Sequence, residues 1–163
     1  MQTGDALDSN ADVLEFTGSE LFRKLFGEGI DLVEETAAYL DGDGRSESRL
    51  LSRSAGLAYA GESMKLTTRL MQIASWLLAQ RAVHEGNLDP AAIFESRYRL
   101  APRALAGHDV QDMPASLLDY VERAKRLYVR VYYLDQKMYA RVDNAPAQNG
   151  IMDQMERLRA AFG

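Results

Sequence analysis

The chain has 163 residues with 19 basic and 24 acidic side chains, a net charge of -5 and no cysteine. That length suits one domain with a real core. The acidic balance excludes a nucleic-acid footprint, which needs clustered basic charge, and the missing thiols exclude disulfides and thiolate chemistry.

Residues 1–16 are polar and acidic with scattered apolar positions, so a flexible arm is expected and not a signal peptide. Thr17 and Glu20 have the spacing of a capping box ahead of a first helix over about 19–40. Leu21, Phe22, Leu25, Phe26, Ile30, Leu32, Val33 and Leu40 share one side of it, and Glu28, Asp31, Glu34 and Glu35 the other. Asp41-Gly42-Asp43-Gly44 ends it. The same four residues hint at a calcium loop, but Ser52 stands where an EF-hand needs its last Glu.

A long second helix is expected over about 46–85. At about 100° per residue, Ile73, Leu66, Leu77, Leu70, Ala74, Leu78, Met71 and Met64 fill roughly half its circumference. A surface helix needs an apolar stripe only a little wider than about 100°, so the excess needs a second neighbour. Leu50, Leu57, Met64, Met71 and Leu78 also recur at seven-residue spacing, as in a coiled-coil seam. Four residues after each stands a small one: Ser54, Gly61, Thr68, Ser75 and Ala82. The row is either bundle core or a subunit interface, and the arc is wide enough for both. Interface candidates are Ser54, Gly61, Met64, Thr68, Met71, Ser75 and Leu78. Trp76 falls outside this arc, near Lys65, Arg69, Gln72 and Gln80. It either packs under a neighbouring element or serves as an exposed anchor for a partner, together with Lys65, Arg69 and Gln72.

Residues 87–113 read as a loop with one short helix, started by Asp89 and Pro90. The third long helix is expected over about 114–141. Its apolar face runs from Leu117 through Val121, Leu127 and Val131 to Met138. From Asp119 to Arg141 it carries six basic and three acidic residues, whereas Glu20 to Glu35 carries five acidic and two basic. The two helices either attract each other or present docking faces of opposite sign. Tyr133 is a second aromatic partner candidate among Arg126, Arg130 and Lys137. Residues 143–150, with Pro146 and Gly150, read as a linker, and 143–163 as a flexible tail. Ile151, Met155, Leu158 and Phe162 line one side of that tail, either docked or free to meet a partner, with Phe162 as a candidate contact.

The periodicity predicts an all-α antiparallel three-helix bundle over 17–142, homodimeric through the long second helix. Catalytic chemistry is thin. His84 and His108 lie in different elements, and Arg81 stands three before His84 where a di-iron bundle needs Glu. Gly27 and Gly29 sit in a helical pattern and not after a strand, so they form no phosphate cradle. No enzyme activity and no cofactor or metal are expected. No apolar run reaches the roughly 18 residues of a membrane span.

The run from Val33 to Gly42, with Glu34-Glu35-Thr36-Ala37-Ala38-Tyr39-Leu40, is familiar. So is the run from Ala58 to Leu78, with Met64-Lys65-Leu66-Thr67-Thr68-Arg69-Leu70-Met71-Gln72-Ile73-Ala74-Ser75-Trp76. Together they resemble the RcdA family of alphaproteobacteria, regulators of CtrA degradation. The likeness is strong over the first two helices, weaker on the third, and covers neither the first 15 nor the last 20 residues. It implies a homodimeric helical bundle in the cytoplasm, with a place at a cell pole. It further implies an adaptor that tethers cargo such as CtrA to the ClpXP protease once CpdR has primed it, with PopA extending the hierarchy. A generic dimeric scaffold with other partners, or a helical bundle that binds a small ligand or metal, are the alternatives.

Overall fold

The computed structural model describes residues 3–100 and 112–162, with side chains placed over 10–100 and 112–138. Among the described residues the chain is all-α, as its periodicity predicts. The helices are α1 (Thr3–Thr17), α2 (Glu20–Asp41), α3 (Asp43–Ser48), α4 (Arg53–His84) and α5 (Ala115–Phe162), with short 3₁₀ turns at Pro90–Phe94 and Ser96–Tyr98.

The core lies between α2, α4 and α5. Leu25, Leu66, Ile73, Leu77, Leu117, Leu127 and Val131 are fully enclosed there. Ile73 stands seven residues after Leu66 and four before Leu77, and Leu127 stands four before Val131, so α4 and α5 form with these faces inward. Burying one such side chain stabilises by about 1.5–3 kcal/mol. Exposed ion pairs fasten the rim: Arg123 to Glu35 at 2.8 Å and Arg130 to both carboxylate oxygens of Glu28 at 2.8 Å. The opposite charges of α2 and α5 therefore meet each other.

Several boundaries differ from those expected. Residues 3–17 form helix α1 and not a flexible arm. Val13 packs against Val83 and Ile93, and the Phe16 ring lies 5.6 Å from Phe22 and 6.3 Å from Trp76. These few apolar residues, spaced three to four apart with Thr17, outweigh the polar composition around them. The cap of α2 is Ser19, whose hydroxyl accepts from the Phe22 N–H at 3.2 Å. Thr17 instead donates to the Leu14 carbonyl.

The expected second helix is broken in two. α3 ends at Ser48, a turn follows, and Ser52 caps α4 by accepting from the Ala55 N–H. Gly44, at the start of α3, is wedged against aromatic neighbours. A Cβ on it would stand 2.6 Å from the Tyr59 hydroxyl and 2.8 Å from the Tyr39 carbonyl oxygen. At the other end, Gly86 adopts φ +77°, and the Asn87 N–H returns to the Ala82 carbonyl at 2.8 Å. That is a Schellman-type stop which favours glycine. Asp89 caps the following turn by accepting from the Ala91 N–H, as expected.

α5 does not stop near 141. It continues to Phe162 through the segment expected to be a linker and the tail expected to be flexible. Pro146 lacks one N–H and costs about 3 kcal/mol in a helix interior. Strong helix formers on both sides, such as Ala145, Ala147, Met152, Gln154, Met155, Glu156 and Leu158, carry the backbone across it.

Candidate interaction surface

α4 presents two faces. The core takes Tyr59, Leu66, Leu70, Ile73 and Leu77. It then extends to Trp76, Ala79, Gln80 and Val83. Met64 stands about 180° from Ile73 on the helical wheel, so the seven-residue row points away from the subunit. The exposures of Leu57, Met64, Met71 and Leu78 are 70, 72, 64 and 53%. Leu50, in the turn before α4, is 87% exposed. Exposed apolar side chains recurring along one helix face make this row the candidate interaction surface.

The small residues accompany that row. Ser54, Thr68 and Ser75 are exposed and Gly61 is half-buried. A Cβ added to Gly61 would meet nothing within 4 Å. Its own subunit therefore gives no reason for a glycine there, unlike Gly44. Thr68 donates its hydroxyl to the Met64 carbonyl at 2.9 Å, which folds its polar group back on the helix and leaves its methyl outward.

Trp76 is where the sequence reading needs correction. It is 2% exposed, not a surface anchor. Its indole N–H donates to Asp135 Oδ1 at 3.0 Å, and its ring borders Phe16. Gln80, one turn on, is equally buried, so the polar neighbours that placed Trp76 on a surface are themselves partly interior. Gln72 is half-buried, and Arg69 sits over the Tyr128 ring at 5.9 Å. Lys65 is exposed and paired with Glu62 at 3.0 Å. Tyr133 is exposed on α5 with Lys137 over its ring at 5.4 Å, far along the sequence from α4. The Phe162 side chain lies outside the described residues.

Asp135 escaped the sequence reading although a signal was present. It lies four residues after Val131 and three before Met138, on the apolar side of α5. Burial pushes its carboxyl above the ordinary range, against the opposing pull of the Trp76 hydrogen bond, Arg99 and the Leu100 N–H. Arg99 Nε stands 3.7 Å from its Oδ2. A cleft of about 370 Å³ opens beside this junction, lined by Thr68, Met71, Gln72, Ser75 and Trp76 of α4 and by Arg97 to Leu100. Among the described residues no cluster of His, Asp or Glu fits a metal ion, and no helix is long and apolar enough to cross a membrane.

Comparison with known proteins places this arrangement. The family model described as a protein of unknown function (DUF1465) matches residues 13–162. The crystal structure of RcdA from Caulobacter crescentus CB15 is 51% identical, with a TM-score of 0.67, over 78% of this chain and 98% of that one. The chain belongs to the RcdA family. No curated protein matches it. The match to the RcdA structure agrees with the resemblance read from the first two long helices, and the family model extends over α5 as well.

Proposed function

We propose that this RcdA-family chain is a non-enzymatic adaptor in regulated proteolysis. It pairs with a second copy through the outer face of α4 and tethers cargo such as CtrA to CpdR-primed ClpXP, with PopA joining the hierarchy. The observation that carries the reading is the outward row Leu57, Met64, Met71 and Leu78 on a member of this family. Such a row needs a protein partner and supplies no reactive group. Tethering acts through effective concentration, which reaches about millimolar for a short span without new chemistry. The C-terminal part of α5, from about 147 onward and including Phe162, is a second contact region in this reading, and it acts at a distance from α4.

Reconstituted degradation tests it. Purified chain added to ClpXP, CpdR, PopA and CtrA should accelerate loss of CtrA, and a chain lacking 147–163 should do so less. Equal rates with and without the purified chain would remove the adaptor reading.

A further inference from the structure

We infer that Gln80 and Asp135 form a binding site for one internal water molecule between α4, α5 and the first 3₁₀ turn, and that this water is a fixed part of the fold. The inference stands without the adaptor reading, because the site lies within one subunit.

Two enclosed oxygens carry it. Gln80 on α4 is 2% exposed and Asp135 on α5 is 6% exposed. Gln80 Oε1 and Asp135 Oδ2 are both buried, and neither has a hydrogen-bond partner among the described residues. Asp135 Oδ1 is served separately, by the Trp76 indole N–H. Buried polar side-chain atoms are, in the large majority, bonded to protein or to ordered water. An amide oxygen and a carboxylate oxygen are both acceptors, so these two cannot satisfy each other. Arg99 brings its Nε to 3.7 Å from Oδ2, which is an attraction between charges and not a hydrogen bond.

The space beside the two oxygens has the size of the missing donor. Gln80 and Asp135 line one small pocket together with Ile93, Phe94, Arg99 and Met138. It leaves about 10 Å³ for the centre of a water-sized sphere, about what one buried water needs and too little for two. Water brings two O–H donors, one for each oxygen, and its lone pairs suit the Arg99 cation. An apolar occupant would leave both oxygens unpaired, and an anion would meet the carboxylate. Among the described residues no third acid or histidine joins Asp135 to hold a metal ion. Water alone fits the number of acceptors, their sign and the volume.

The position gives the water structural weight. Met138 packs against the main core and also against the small cluster of Val13, Val83 and Ile93. The site therefore lies at the seam where α1, through Val13, joins the bundle. There it adds a second polar tie between α4 and α5, one helical turn along α4 from the Trp76–Asp135 bond.

Two measurements on the full chain test the site. Magnetic relaxation dispersion of water nuclei counts internal waters with long residence times. A chain of 163 residues holds about six by the usual density, so the difference between two chains is what is read. Gln80→Leu keeps a similar side-chain size and removes the amide. It should count one internal water fewer than the unaltered chain, with far-ultraviolet circular dichroism unchanged. Equal counts overturn the site. A high-resolution crystal structure of the unaltered chain should place an ordered water about 2.7–2.8 Å from both Gln80 Oε1 and Asp135 Oδ2. A direct hydrogen bond between the Gln80 amide and Asp135, or a protein group filling the pocket, overturns it. Should Gln80→Leu fail to fold, the crystal structure of the unaltered chain decides alone.

Discussion

Gly29 of α2 lies directly against Leu77 of α4, so closely that a methyl group in place of its hydrogen would collide with Leu77 Cδ1. Two residues away in sequence, Gly27 faces open space. The pair makes a matched test of packing. Gly29→Ala should destabilise by about 1–3 kcal/mol through overpacking. Gly27→Ala should stabilise by roughly 0.5–1 kcal/mol by relieving backbone entropy. Urea unfolding of both variants checks this, and a neutral Gly29→Ala would show that Leu77 yields without cost.

Self-association is the second expectation. Gly61→Leu adds bulk on the outer face where its own subunit leaves room. It should weaken self-association while leaving the unfolding midpoint of the dilute chain nearly unchanged. Met71→Lys should act in the same direction. Sedimentation decides: the unaltered chain running as a monomer at tens of micromolar would contradict the pairing of outer faces.

The ion pairs between α2 and α5 should contribute little. Arg130–Glu28 is about half exposed, and such pairs give about 0.2–1 kcal/mol, screened by salt. Arg123 holds the Glu35 carboxyl below the ordinary range. A double-mutant cycle on Arg130 and Glu28 in low and high salt should show a coupling within that range that shrinks with salt. A coupling of several kcal/mol would mean that the pair is shielded from water.

The buried carboxylate predicts a pH dependence. Burial raises Asp135 above its ordinary value, so the folded chain takes up this proton before the unfolded chain does. Its contribution to stability is then greatest in acid and is lost as pH rises through the folded value. Comparing the unaltered chain with Asp135→Asn isolates the term. The stability difference between them should move against the unaltered chain as pH climbs from about 3 toward neutrality. A difference that stays flat over that range would mean the surrounding donors fully offset the burial.

The sequence showed most clearly what a helical period encodes. Leu66, Leu70, Ile73 and Leu77 fell within the apolar arc of α4, whereas the seven-residue row was equally compatible with core and interface. A wheel treats each helix alone, so it left Trp76 open between packing under a neighbouring element, which the structure shows, and a surface anchor. Gln80 looks like surface, yet it is enclosed beside Ile93, Phe94, Arg99 and Asp135, which a wheel of α4 alone does not place. The cap at Ser19 and the break at Ser48–Ser52 were hidden because serine and threonine compete for such positions at nearly equal cost. α1 was missed because a few apolar residues decide its docking, and the continuation of α5 beyond 141 because Pro146 and Gly150 weigh more in a local pattern than in a long helix.

A geometric consequence follows from the row on α4. Leu57, Met64, Met71 and Leu78 recur every seven residues on a helix with about 3.6 residues per turn, so each repeat swings the row by about 20°. Over three repeats the swing is about 60°, toward the side where Leu70 enters the core. The falling exposure from Met64 through Met71 to Leu78 is its visible trace. A straight rod laid along this row would touch at one end and part at the other. Two such helices must either wind about each other left-handedly or cross at a point. Leu66, Leu70, Ile73 and Leu77 hold α4 against its own bundle, so a crossing is the expected arrangement. Contact then concentrates near Gly61 and Met64, and substitutions there should outweigh the same changes at Leu78 or Leu50.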